Sequence, residues 1–185
     1  QILKTSLAQK PEIRSEMETA MSSILARLNP SDRGTRFLTG GAYEWIIAVA
    51  CWVSGIKLIP GGHSQNNFDL LEFRNALRGV WSIKSFTSSS ISNDIRLANK
   101  LSNVSISWTE PTLFISPDLP GLVYIDPERA PLISKLTTQN AEALKIKGNY
   151  VKIFAKQNPD CVIPFAAPVN KGQGKESPQF DIVSN

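Results

Sequence analysis

The segment FDLLEFRNALRGVWSIKSF, residues 68–86, places an acid and a base on two apolar runs. Asp69 lies near the start of the first run, and Lys84 lies near the end of the second, shortly after Ser82. Carboxylates bind Mg²⁺, which keeps open coordination positions for water and phosphate. A lysine beside the attacking water can orient it or balance the phosphate charge. These residue types therefore suit metal-dependent hydrolysis of a phosphodiester bond.

The two apolar runs predict a β-hairpin, and its register decides whether the acid and the base meet. Side chains alternate along a strand, so Ser82 and Lys84 share one face of the second strand. One register of the hairpin places Asp69 next to Lys84 on that face. The alternative is an ordinary cross-strand pair on a solvent-exposed face, which contributes only a fraction of a kcal/mol.

A helix over residues 42–55, AYEWIIAVACWVSG, precedes the hairpin and is apolar nearly all round. Such a helix is expected to be buried, and Gly55 is expected to end it. Glu44 is the only charged residue in this segment. A carboxylate in this place is paired, bound to a metal or favoured by the helix N-terminus. The residues alone leave these roles of Glu44 open.

The chain resembles the PD-(D/E)xK nuclease superfamily in the order of Glu44 on a helix, Asp69 on a strand and WSIKS with Lys84 on the next strand. Restriction endonucleases, Holliday-junction resolvases and transposon end-cleaving nucleases are examples of this superfamily. The resemblance covers about residues 40–125 and implies an α/β fold with a restriction-endonuclease-like core, a mixed β-sheet flanked by helices. It further implies a Mg²⁺- or Mn²⁺-dependent endonuclease that cuts DNA in restriction, defence or transposition, as a homodimer or with additional domains or subunits.

The chain departs from the family pattern at two positions. Phe68 stands where the family often has Pro, and Ser82 stands where the family has its second carboxylate. A hydroxyl binds Mg²⁺ more weakly than a carboxylate does. Family members with Ser-x-Lys draw the missing carboxylate from the following helix, where Asp94 is the candidate here. Glu44, on the preceding helix, is the other candidate.

The resemblance thus implies two overlapping sets of site residues. The catalytic set is Asp69, Lys84, Glu44 and Ser82, and the metal ligands are Asp69, Glu44 and Asp94. An acidic residue in a first helical turn is also ordinary, which leaves a purely structural role open for Asp94. If no second carboxylate reaches Asp69, we expect a degenerate relative that binds nucleic acid without cutting it. A protein-interaction domain of a larger assembly is a further alternative.

Contacts to nucleic acid are expected from cations and polar side chains around the hairpin. The chain carries a net charge of +4, which is compatible with a polyanionic partner but does not require one. Cations in such places neutralise phosphates, although any protein surface carries some. The residues predicted to bind nucleic acid are His63, Arg74, Arg78, Ser88, Asn93, Arg96 and Lys100.

The overall composition indicates one globular domain over residues 1–165 and an extended tail over residues 166–185, which is rich in Pro, Gly, Lys and Ser. A single His argues against a multi-histidine zinc centre. No apolar run is long enough to predict a transmembrane helix. No signal peptide is visible, so we expect a cytoplasmic protein without a membrane partner.

The remaining elements are predicted from local patterns. Helical spacing of apolar residues predicts a helix over residues 11–28, followed by a turn-rich connection up to residue 41. A third helix is predicted to begin near an N-cap at Ser92. Residues 142–147 and 150–155 are predicted to form a hairpin around Gly148-Asn149. Single strands are predicted at 56–59, 104–108, 112–116 and 121–125.

Overall fold

The computed structural model describes residues 2–28, 33–61, 68–73, 80–86, 94–100, 104–116 and 118–164. The helices of these ranges are α1 (Ile2–Gln9), α2 (Pro11–Arg27), α3 (Arg33–Val53), α4 (Pro131–Ser134) and α5 (Gly148–Gln157). The strands are β1 (Leu58–Pro60), β2 (Leu70–Glu72), β3 (Val80–Ser85), β4 (Asp94–Asn99), β5 (Thr112–Ile115), β6 (Gly121–Ile125), β7 (Thr138–Gln139), β8 (Ala143–Lys147) and β9 (Val162–Pro164). None of these helices has both the length and the apolar character needed to cross a membrane.

The fold is mixed α/β, with a large mixed sheet flanked by helices. The large sheet has the strand order β1-β2-β3-β5-β6-β9. Strands β3 and β5 run parallel, whereas the other neighbours in this sheet run antiparallel. A second sheet has the order β4-β8-β7 and is antiparallel. The predicted hairpin is confirmed, because β2 pairs antiparallel with β3 through Leu70 and Trp81.

Helices α2 and α3 cover one face of the large sheet and form the first core. The predicted helix over residues 11–28 is confirmed, and its buried Met17 and Met21 pack in this core. Helix α3 contributes Tyr43, Ile47 and Cys51, at helical spacing, while β3 contributes Ile83. Burial of these apolar side chains fixes which face of β3 looks toward α3.

The opposite face of the large sheet carries the second core. The second sheet and α5 pack over this face, because Ile95, Ile146 and Val151 lie in one cluster with Phe86 and Phe114. Phe86 lies two residues beyond Lys84, so alternation puts Lys84 on this second face. Side chains on the two faces of β3 thus pack in two different cores.

Helix α3 ends as predicted but begins earlier. Gly55 adopts a positive φ of 89°, and the Ile56 N–H donates to the Cys51 carbonyl at 2.8 Å, which together close the helix. The expected turn-rich connection is wrong from Arg33 onward, because α3 begins there. Buried Thr39 extends the inward face of α3 by one turn before Tyr43. Tertiary packing therefore outweighs the low helix propensity of the glycines in this stretch.

Three other local predictions are wrong. Residues 94–99 form a strand and not a helix, because β4 pairs with β8 and buries Ile95 and Leu97 at strand spacing. Residues 150–155 belong to α5 and not to a strand, because Val151 and Ala155 are buried one helical turn apart. The predicted strand at 104–108 is also absent from the described structure, although the strands at 112–115 and 121–125 are confirmed.

The two cysteines should differ sharply in reactivity. Cys51 is fully buried, and burial, with a smaller effect from the charge of Glu72, raises the pKa of its thiol to about 12. Cys161 is a free thiol that is partly exposed. Because the thiolate is the reactive form, iodoacetamide at neutral pH should label Cys161 alone in the native protein and both residues after denaturation. Intact mass and peptide mapping measure this, and equal native labelling of Cys51 would contradict the packing of α3.

Candidate functional site

The backbone of Asp69 is held between the ends of two strands. Its N–H donates to the Trp81 carbonyl at 2.9 Å, which continues the ladder of β2 and β3 by one residue. Its carbonyl accepts from the Gly61 N–H at 2.9 Å, just after β1. These two backbone hydrogen bonds help to fix the direction in which the Asp69 side chain points.

The structure brings together the carboxylate of Asp69 and the side chains of Ser82 and Lys84. Asp69 Oδ2 accepts from Ser82 Oγ at 2.8 Å and from the Ile83 N–H at 2.5 Å. Lys84 Nζ approaches the same oxygen at 3.4 Å. The hairpin therefore adopts the register that joins the acid and the base.

This pair does not have the character of a solvent-exposed cross-strand pair. The side chains of Asp69 and Lys84 are only 24% and 23% exposed, and Ser82 is 4% exposed. Hydrogen bonds to a charged group are stronger than neutral ones, and attraction between charges grows as water is excluded. The three donors on one carboxylate oxygen therefore hold Asp69 in a defined orientation on this sheet face.

A second group of buried hydrogen bonds lies on the same face of the neighbouring strand. Ser82 and Thr112 are paired across the parallel strands β3 and β5, so their side chains share a face. Thr112 Oγ1 donates to the Glu110 carbonyl and accepts from Trp108 Nε1, both at 2.9 Å. The sequence did not single out Thr112. Two features of the sequence could have indicated a buried Thr112: its apolar neighbours in TLFI and the indole N–H of nearby Trp108.

Glu44 lies on the inward side of α3, one helical turn before buried Ala48. Helix α3 packs in the first core, against the face of β3 that carries Ile83. Lys84 follows Ile83 and points to the other face. Glu44 therefore belongs to a helix that lies across the sheet from the side chain of Lys84.

Asp94 lies on the second sheet and contacts a different lysine. Its Oδ2 is 3.9 Å from Lys145 Nζ, and it is exposed on the face of β4 opposite to buried Ile95. Arg96 lies on the same outer face and pairs with Glu142 at 3.1 Å. Asp94 thus stands in an ion pair of its own, outside the contacts that surround Asp69.

The other predicted contact residues are divided between described and undescribed parts of the chain. Lys100 follows β4, and its N–H donates to the Glu142 carbonyl at 2.7 Å. It lies on the second sheet together with Arg96. The residues that fall outside the described ranges are His63, Arg74, Arg78, Ser88 and Asn93.

The described residues around Asp69 offer a cation one carboxylate, and Lys84 Nζ lies 3.4 Å from one oxygen of that carboxylate. In the described ranges, no three His, Cys, Asp or Glu side chains come together as a metal-binding group. Mg²⁺ is commonly held by one or two carboxylates, with water and substrate phosphate completing its shell. The donors described for Asp69 all fall on Oδ2.

Replacing Asp69 separates its structural role from its charge. Asp69→Ala removes the acceptor of the Ile83 N–H and of Ser82 Oγ, so the free energy of unfolding should fall by about 1–3 kcal/mol. Asp69→Asn keeps a side-chain carbonyl for the same donors and should lose about 1 kcal/mol or less. Urea unfolding with a shared m-value measures both changes. Equal losses for the two variants would show that these hydrogen bonds do not hold the hairpin.

Comparisons of this chain with protein-family models, with curated proteins and with solved structures found no match.

Proposed function

We propose that this chain is a metal-dependent endonuclease that hydrolyses DNA phosphodiester bonds. The observation that carries the proposal is the contact of Asp69 with both Ser82 and Lys84 on one largely buried face of a hairpin. The restriction-endonuclease-like assignment of the core is part of the same proposal. It draws support from the mixed sheet and from the position of the Asp and Lys on adjacent antiparallel strands.

The proposed roles follow from the chemistry of each group. Asp69 would hold a divalent cation, while Ser82 and the Ile83 N–H fix the orientation of the carboxylate through hydrogen bonds to Oδ2. A bound Mg²⁺ or Mn²⁺ would lower the pKa of water and neutralise charge that develops on the phosphate. Lys84 places its ammonium group beside this carboxylate, where it can orient the attacking water and stabilise the phosphate oxygens.

Glu44 and Asp94 stay predictions in this scheme. Asp94 already stands against Lys145 on the outer face of the second sheet, which gives no support to its assignment as a ligand. Glu44 lies on the helix that covers the other face of β3. The proposal therefore rests on Asp69 and Lys84, with Ser82 as the residue that orients the carboxylate.

A second candidate function is a relative of such nucleases that binds nucleic acid without cutting it. Two observations favour it: Ser82 occupies the position of the second carboxylate, and no group of three metal-binding side chains forms in the described ranges. In this case Lys84 acts as the internal counter-ion of Asp69, and the pair holds the hairpin together.

The two candidates differ in their action on DNA. Supercoiled plasmid and single-stranded DNA are incubated with the chain in Mg²⁺, in Mn²⁺ and in EDTA, and the products are separated on a gel. The endonuclease produces metal-dependent strand breaks. Retention of DNA in a low-salt shift assay without any strand breaks supports the binding protein. If the chain neither cuts nor binds DNA, both proposals are excluded.

A further inference from the structure

Helix α3 exposes an apolar stripe on the side that faces away from the sheet. Trp45 is 63% exposed, Val49 is 57% exposed and Trp52 is 48% exposed. Leu38 and Val53 are also about half exposed and lie on the same side of the helix. We call these five residues the α3 stripe. The sequence predicts that this helix is buried, whereas the described parts of the chain cover only one side of it.

The α3 stripe is as large as the largest apolar patch of a typical monomer, and such patches are often functional. Single exposed apolar residues are normal, but contiguous patches of several hundred Å² mark interaction sites. Two half-exposed tryptophans and three half-exposed aliphatic side chains expose on the order of 500 Å². Two copies that pack stripe against stripe would therefore bury about 1,000 Å² before their flanks are counted, which reaches the size of specific interfaces.

The spacing of the α3 stripe suits a helix that pairs with a copy of itself. Leu38, Trp45 and Trp52 recur every seven residues, which is the spacing that keeps one seam of a helix against a partner helix. No charged residue lies on this side of α3 between residues 38 and 53, since Glu44 lies on the inward side. Two copies can therefore pack stripe against stripe without bringing like charges together.

The small residues of α3 complete this self-complementarity. Gly41 and Ala42 lie on the outward side between Leu38 and Trp45. An antiparallel two-fold arrangement centred between Trp45 and Val49 places Trp52 of one copy over Gly41 and Ala42 of the other. Large residues then face small ones, which is the arrangement that close packing requires.

We propose that the α3 stripe is the interface of a two-fold homodimer of this chain. A two-fold interface uses the same patch on both copies, so the patch must be complementary to itself. The charge-free seam, the heptad spacing and the large-over-small pairing meet this requirement. The inference is independent of the chemistry proposed for Asp69 and Lys84, which lie on the other face of the large sheet.

Sedimentation of the chain over concentrations from about 1 to 100 μM tests this interface. The wild type should sediment at twice the monomer mass at the upper end, with tryptophan emission shifted to shorter wavelength as Trp45 and Trp52 leave water. Trp45→Glu should weaken the dimer by about 100-fold, because it places a charge at the centre of an apolar interface. Phe73→Glu is the matched control, because Phe73 is an aromatic residue that is 64% exposed outside the stripe.

The outcomes that overturn the proposal are distinct. A wild type that stays monomeric at all these concentrations excludes the dimer. A dimer that Phe73→Glu disrupts and Trp45→Glu leaves intact uses another face. Cosedimentation of the monomer with phosphatidylcholine or phosphatidylserine vesicles, lost in Trp45→Glu, assigns the stripe to a lipid surface. Val49→Lys repeats the test if circular dichroism shows that Trp45→Glu does not fold.

Discussion

Lys84→Met should lower the rate of DNA cleavage by about 10²–10³-fold, because it removes the ammonium group that contacts the Asp69 carboxylate. Methionine keeps most of the lysine stem, so the packing of β3 should change little. DNA binding should be reduced far less than cleavage, since one phosphate contact is a small part of the total electrostatic attraction. Initial rates of plasmid nicking measure cleavage, and fluorescence anisotropy of DNA with the same protein measures binding.

A second lysine of the same chain serves as a matched control for this substitution. Lys145 is 25% exposed and lies 3.9 Å from the Asp94 carboxylate, so it resembles Lys84 in burial and in pairing. Lys145→Met should leave the cleavage rate within about twofold of wild type, because loss of a partly exposed ion pair affects stability only slightly. Equal losses of cleavage in the two variants would indicate a general charge effect and would remove Lys84 from the proposed chemistry.

Ser82→Asp should make the stability of the chain depend on divalent cations. The substitution puts a second carboxylate at a position that is 4% exposed and that contacts Asp69 Oδ2. Without metal, the free energy of unfolding should fall by about 2–4 kcal/mol, because two carboxylates then share a buried place. Mg²⁺ or Mn²⁺ at about 100 times its dissociation constant should raise the Tm of this variant by about 5–10 °C.

Ser116→Asp is the control for Ser82→Asp. Ser116 is a buried serine that follows β5, so the same substitution introduces a buried carboxylate away from Asp69. It should destabilise the chain to a similar extent, but added metal should not restore the Tm. Thermal melts in EDTA and in increasing Mn²⁺ compare the two variants. A Ser82→Asp protein that metal does not stabilise would show that this hairpin cannot form a two-carboxylate site.

The sequence predicts the hairpin because its pairing depends on short-range patterns, and it leaves the contact of Asp69 with Lys84 as one of two outcomes. Only a few residues separate the apolar runs around Leu70 and Trp81, so their antiparallel pairing is a local event. Once that register exists, the two-residue period of a strand carries Asp69 to the side of Lys84. The same reasoning explains why the helix at 11–27 and the strands at 112–115 and 121–125 are predicted correctly.

The elements that the sequence mispredicts depend on partners far along the chain. Residues 94–99 become a strand because β8, almost 50 residues later, supplies the hydrogen bonds of their backbone. Gly148-Asn149 has the composition of a turn, yet Gly148 begins α5, whose buried Val151 and Ala155 face the second core. In both segments long-range burial selects between two periods that the local pattern supports about equally.

The surroundings of the site could be predicted only in part. Thr112 joins the face of Ser82 because β5 lies parallel to β3, and no local pattern encodes the order of strands in a sheet. The predicted helix at Asp94 is wrong for the same reason, because the strand that contains Asp94 forms by pairing with the distant β8. Contacts inside one hairpin are therefore accessible from sequence, whereas contacts between separate strands and helices require the structure.

Strand breakage of a supercoiled plasmid by wild type and by Asp69→Asn, purified in the same way, tests the central claim most directly. The two proteins differ by one oxygen-to-nitrogen change at the carboxylate that accepts hydrogen bonds from Ser82, Ile83 and Lys84. We predict open-circular and linear products with wild type in Mg²⁺ or Mn²⁺, none in EDTA, and none with Asp69→Asn. Equal breakage by the two proteins, or no breakage by wild type with either metal, would contradict the assignment of this hairpin as a phosphodiesterase centre.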